Sequence, residues 1–347
     1  AQGLALDSGD GRYVTFREHG SGLEYLRGSR EIAERGLAVD LEPYGFQVFL
    51  DFAEVADDAR GSWSRLCGRL AGQPVPSIGR ALREMELAPV RDTFRDTLAS
   101  LRSPEPMPAI AAYARFAEAA AAVAPGTVDA GACSLAFGRT LRAIAEIGRW
   151  KAPAEILAGS GRRTSSTAWA ALASLGADAA DCIDEWLLAD FVRGELHVAG
   201  CPAAAAEAGP AILALLLRHP AAPADRPPAR GLLSAPEAVP ALRVNTFEGV
   251  RWFDRECFEL AADLLAVTAC VSAVADAAAA GAPRKRPTDR PPIAVTRAIA
   301  AARRLRDAAE ASAWRWDDFR TSWFAASEAK APEAKARRAA KRPSKRR

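Results

Sequence analysis

The signals for β-structure in this chain are confined to about its first 55 residues, and that confinement limits the folds open to it. In YVTFREHGSGLEYL, two alternating runs flank a His-Gly-Ser-Gly turn, where glycines supply the positive φ that a tight connection needs. In LAVDLEPYGFQVFLDF, Leu37, Val39 and Leu41 alternate on one face. Val48, Leu50 and Phe52 alternate again beyond a turn at Pro43-Tyr44-Gly45. Between these hairpins SREIAERG reads as one short helical turn ended by Gly36. Beyond residue 56 the periodicity is helical. Four strands cannot cover their own faces. The expectation is therefore a mainly α chain. A short N-terminal antiparallel β-hairpin segment, the remnant of a β-domain, precedes a helical bundle or helical array.

Along the chain this gives β-hairpins over 1–55, a helical region over 56–219, a proline-rich linker over 220–243 and a second helical region over 244–327. That last region is broken at 282–292 by APRKRPTDRPP, and a disordered basic tail follows over 328–347. Ser77, after Pro76, reads as the cap of a helix carrying Ile78, Leu82 and Met85. Gly176 and Gly194 stand where helix-ending glycines belong. Asp254 reads as the cap of a long apolar helix, and a further helix is expected to start at Pro210. The chain opens Ala1-Gln2-Gly3-Leu4 and enters its first strand within fifteen residues, which reads as the continuation of a larger protein.

Alanine makes up much of the apolar half of the composition, and alanine is the strongest helix former. The formal charge of +3 hides an asymmetry. Lys330 to Arg347 carries nine Lys or Arg and one Glu, so the remainder of the chain is mildly acidic. A nucleic-acid-binding body is not expected. Only the tail could meet an anionic polymer, through counterion release. Leu264 to Ala275, between two aspartates, is far short of the roughly twenty residues of a membrane span, so no membrane association is expected. The six cysteines lack CxxC spacing and read as reduced, buried thiols, which favours a cytoplasmic location.

The search for chemistry yields mostly absences. Cys182, His197, Cys201 and His219 include ligand types for zinc, but no pair has the short spacing of a zinc site. The other histidine, His19, falls in a hairpin turn with no nucleophile motif beside it. GSGRR at 159–163 lacks the lysine and the preceding strand of a phosphate loop and reads as a helix connection. Glu18, Glu24, Asp40 and Asp51 lie on or near strands without forming a positioned pair. Trp316, Phe319 and Trp323 recur at helical spacing and read as core. Tyr13, Tyr25, Tyr44 and Phe46 on the hairpins form a candidate sugar-facing aromatic patch. No catalytic, cofactor-binding or metal-ligating residue is assigned, and no cofactor is expected.

The stretch YVTFREHGSGLEYLRGSREIAERGLAVDLEPYGFQVFLDFAEV resembles the end of the β-domain that follows the barrel in large bacterial α-amylase-family glycosyl hydrolases. VPSIGRALREMELAPVRDTFR and FEGVRWFDRECFE resemble parts of the helical extension of the same proteins. These phrases cover about a quarter of the chain. The resemblance implies an accessory region whose partners are a catalytic domain of the same polypeptide and, through glucan handling, α-glucan. The aspartate, glutamate and third acidic residue that such enzymes carry on a barrel have no counterpart in this sequence, so no catalytic role transfers. A different class of reading also fits: a self-contained helical interaction protein whose basic tail contacts an anionic partner.

Overall fold

The first hairpin folds as its pattern requires. In the computed structural model, which describes residues 6–7, 9–39, 41, 44–102, 106–176, 178–220, 230–279 and 291–325, β1 (Arg12–Glu18) turns back into β2 (Glu24–Gly28). The Glu18 carboxylate closes the turn by accepting from the backbone N–H of Gly20 at 2.8 Å and of Ser21 at 2.5 Å. Gly22 takes φ +71°, as the glycine-rich turn requires. The chain is mainly helical with a small antiparallel sheet near its N-terminus. It divides into two compact units, Ala1–Pro89 and Val90–Arg347.

In the first unit, α1 (Ser29–Arg35) follows β2 and ends at Gly36, which takes φ +74°. β3 (Phe49–Ala56) completes a three-stranded sheet of order β2-β1-β3. The second hairpin expected over 37–52 does not form. Residues 36–39 adopt no strand, and Asp40, Glu42 and Pro43 lie outside the described residues. β3 pairs with β1 instead, where Val14 and Phe16 already offer an apolar row. The register slips between Thr15, opposite Ala53, and Arg17, opposite Leu50. Asp51 occupies this bulge at φ +59°. One extra residue reverses the alternation beyond it. Phe49 and Phe52 both pack on Phe16, while Leu50 stays exposed, so the expected Val48, Leu50, Phe52 face is broken.

Both faces of this sheet are used. On one, Val14, Phe16 and Ile32 gather Tyr25, Phe49 and Phe52. On the other, Leu26 packs against Leu66 of α2 (Ser62–Leu70) and Ile78 of α3 (Ile78–Glu86). Ser77 caps α3, accepting from Arg80 N–H at 3.3 Å. Because α2 and α3 pack on β2, the compact division falls at Pro89–Val90 and not where the strand signals stop.

The second unit contains α4 (Ala88–Ser100, whose first two residues precede it), α5 (Pro106–Val123), α6 (Ala130–Ile147), α7 (Lys151–Ala154), α8 (Ser160–Ala173), α9 (Ala179–Glu185), α10 (Ala189–Val198) and α11 (Ala203–Arg218). After these come α12 (Arg230–Ser234), α13 (Ala238–Ala241), α14 (Arg255–Ala279) and α15 (Ile293–Ala311), then a helical segment over 316–325. α14 is the central helix, packed against α6, α8, α11 and α15. Its cap is Asp254, which accepts from Cys257 N–H at 3.0 Å. By length and composition Arg255–Ala277 could cross a membrane, contrary to the short apolar stretch read from the sequence. In the fold, 89% of its most apolar window is buried inside the protein.

Alanine decides how closely these helices approach. Ala109, Ala112, Ala117 and Ala120 are buried along α5, and Tyr113 of α5 stacks on Phe137 of α6 with ring centroids 4.0 Å apart. Between α10 and α11 a glycine serves the same end, since a Cβ on Gly209 would sit 2.2 Å from Leu196 Cδ1.

Several expectations are corrected here. Gly194 lies within α10 and ends no helix. α11 starts at Ala203, so Pro210 is buried inside it. An internal proline costs about 3 kcal/mol, which the buried Ile212, Leu213, Leu215 and Leu216 offset. Within the expected linker, 221–229 lies outside the described residues, while Leu232, Leu233 and Leu242 are buried core. A hairpin missed in the sequence, β4 (Asn245–Phe247) and β5 (Val250–Trp252), turns at Glu248-Gly249. It was hidden because its two strands are only three residues long. Phe253, just after it, donates its N–H to Trp314 O at 3.1 Å and joins an aromatic core with Phe258, Trp316 and Phe319. The break over 282–290 and the basic tail over 328–347 lie outside the described residues.

Candidate functional site

The four aromatics read as one sugar-facing patch are divided by the pleat. Tyr13 and Tyr25 stand on opposite sheet faces. Tyr13 packs beside Leu26 and Leu66, and Tyr25 stacks on Phe16 at 5.3 Å with the rings 2° apart. Tyr44 and Phe46 remain in solvent, at 106% and 82% exposure. They belong to a run that also includes Val39, Leu41, Val48 and Leu50, all exposed. This run leads into β3, whose outer edge pairs with no strand among the described residues. The outer edge of β2 is partly covered, because Glu24 and Val75 exchange backbone hydrogen bonds at 2.8 and 2.9 Å.

The strand carboxylates also separate. Glu18 is spent on its turn, where hydrogen bonds from Ser21 and Gly20 hold its pKa below the usual range. Glu24 Oε2 accepts from Ile78 N–H at 2.6 Å and so anchors the start of α3. Asp51 Oδ2 receives Arg17 Nε at 3.0 Å and Nη2 at 2.6 Å. Around the last pair lies a cleft of about 240 Å³, lined by Thr15, Arg17, Glu24, Asp51, Val55 and Trp63.

In the second unit the structure assembles a charged cluster that no sequence motif signalled. Asp263 of α14 is buried between Arg162 of α8 and Arg306 of α15. Arg162 Nε donates to Oδ2 at 2.6 Å, and Arg306 Nη2 donates to Oδ1. Arg306 Nε also reaches Glu259 Oε2 at 2.8 Å, one turn earlier on α14. Burial pushes the Asp263 carboxyl up, and the two guanidinium groups only partly offset this. Each Asp263 oxygen accepts from one guanidinium. The arrangement clamps α8 and α15 onto α14. It could have been suspected from an aspartate one turn after Glu259 in an apolar helix, but its partners lie 101 and 43 residues away.

Beside the clamp a cavity of about 510 Å³ is bounded by the start of α8, the start of α11 and one face of α14. GSGRR lies here, forming the first turn of α8. Gly161 is required because a Cβ would lie 2.5 Å from Cys201 Sγ. The Cys201 thiol is pushed up by burial. Cys182, Cys257 and Cys270 are pushed up to about 12, chiefly by burial. The residues considered for zinc have other partners or stay apart: His197 Nε2 lies 3.1 Å from Glu207 Oε1, and His219 Nε2 lies 4.0 Å from Glu237 Oε2. Among the described residues no three His, Cys, Asp or Glu side chains converge to hold a metal ion. Trp316, Phe319 and Trp323 are buried. No protein-family model matches this chain, and no curated protein or solved structure is significantly similar to it.

Proposed function

We propose that this chain is a non-catalytic accessory region of an α-amylase-type glycoside hydrolase, acting on α-glucans through a catalytic domain of the same polypeptide. The observation that carries the reading is the set of exposed apolar side chains between Val39 and Leu50, together with an outer edge of β3 that no strand among the described residues covers. A face of this kind fits the seam of a larger β-domain, since exposed apolar patches and bare strand edges are normally covered. Its occupant is the preceding β-domain of the same polypeptide, which the resemblance of residues 13–55 implies. The second unit supplies a rigid helical support built around α14. In its largest described cleft Asp263 and Glu259 are held by arginines and burial pushes the Cys201 thiol up, which suits support better than catalysis.

The reading frame upstream of Ala1 tests this directly. A (β/α)8 barrel with its three acidic residues, followed by further β-strands, is the expected result. A frame that encodes no barrel overturns the proposal.

A further inference from the structure

We infer that the cleft around Arg17, Asp51 and Trp63 in the first unit is a carbohydrate-binding subsite. On this face of the sheet, α2 and α3 cover the β2 side around Leu26. The β3 side stays open, with Leu50 and Ala53 exposed and Val55 only half-buried. Thr15 and Arg17 of β1 form the floor, Asp51 and Val55 of β3 one side, and Trp63 of α2 the other. The cleft's volume of about 240 Å³ accommodates one hexose ring, with neighbouring rings continuing along the open face.

The chemistry lining it matches a sugar better than other ligands. Trp63 is half-buried and steadied by the Leu26–Leu66–Ile78 cluster. Its indole is thus a pre-positioned apolar surface for the C–H face of a pyranose. Planar polar groups stand around it. Asp51 Oδ2 is occupied by the Arg17 fork, while Oδ1 has no hydrogen-bond partner among the described residues. Arg17 Nη1 and Glu24 Oε1 are likewise unengaged among the described residues. Carboxylate and guanidinium groups side by side accept from and donate to the vicinal hydroxyls of one ring. The lining carries one cation and two carboxylates, which disfavours a phosphate.

The bulge at Asp51 is what assembles this group. An aspartate at φ +59° within a strand adopts a backbone that L-residues disfavour. The extra residue places it beside Arg17, two strands' width from Glu24.

This inference rests on the accessory reading only for the choice of α-glucan as ligand. The test is calorimetric titration of the 347-residue chain with maltoheptaose and, separately, cellohexaose. Trp63→Ala and Asp51→Asn variants are titrated alongside, with circular dichroism to check folding. Saturable maltoheptaose binding that weakens about tenfold or more in both variants is expected. Phe46→Ala, outside the cleft, should bind as the parent does. If Trp63→Ala fails to fold, the exposed Asp51→Asn change decides alone. No saturable binding of either sugar overturns the subsite, as does binding that Asp51→Asn leaves unchanged. Cellohexaose binding alone upholds the cleft and removes α-glucan from the accessory reading. Maltoheptaose binding in a protein whose upstream frame lacks a barrel upholds the cleft and overturns that reading instead.

Discussion

The two units treat apolar surface in opposite ways. In the helical unit the longest helix, α14, is enclosed by four other helices and most of its apolar stretch is buried. In the sheet unit, six apolar side chains between Val39 and Leu50 stay in solvent. The difference follows from the elements available. Alanine and glycine let helices approach until even a methyl group would clash, as at Gly209, so short connections suffice to close a core. A three-stranded sheet presents more surface than three short helices can hide, and among the described residues no strand pairs with the outer edge of β3. A closed unit draws its stability from packing, and the Asp263 clamp fixes how α8 and α15 sit on α14. An open one keeps surface that serves recognition.

The sharpest way to break this contrast is at the clamp. Asp263→Ala removes the buried carboxylate from between Arg162 and Arg306, and because both arginines keep partial access to water the cost should be about 3 kcal/mol, the low end for a broken buried pair. Urea unfolding followed by tryptophan fluorescence should show that loss in the helical unit. A change below about 1 kcal/mol would mean that the cluster is surface-like. Gly209→Leu should come next, at about 1–3 kcal/mol, because overpacking forces α10 and α11 apart. Thermal unfolding at unchanged stability would show that the two helices separate freely.

In the sheet unit the corresponding changes should be nearly silent. Tyr44→Ser and Phe46→Ser are expected to move stability by no more than about 0.5 kcal/mol, while reducing self-association in sedimentation velocity. A large destabilisation would mean that these side chains are core. The smallest effect concerns pH. Hydrogen bonds from Ser21 and Gly20 lower the folded pKa of Glu18 below the ordinary glutamate range. Its contribution is therefore present above the unfolded value and lost as pH falls through the lowered folded one. Glu18→Gln should flatten the acid limb of hairpin stability, read by amide exchange at Gly20 and Ser21. An unchanged acid limb would remove Glu18 from that role.

Local features were legible in the residues. The turn after Glu18, the stop at Gly36 and the caps at Ser77 and Asp254 all involve groups within a few positions of one another. Chain stiffness and hydrogen-bonding chemistry settle them without tertiary help. The second hairpin failed because alternation shows that a strand can form but not which strand it joins. Phe49 and Phe52 found Phe16 more than thirty positions away, and a bulge in β3 broke the alternation read for Val48, Leu50 and Phe52.

The same limit governs the site. Mainly helical character, alanine-mediated packing and the segregation of β-structure near the N-terminus are written in composition and periodicity, because they sum over many near-neighbour preferences. The Asp263 clamp and the Arg17–Asp51–Trp63 cleft join residues dozens of positions apart. Each of those residues is ordinary in its own segment. Only the folded backbone brings them within a few ångströms, and only there does burial or a shared cleft give them a chemistry that the linear order does not contain.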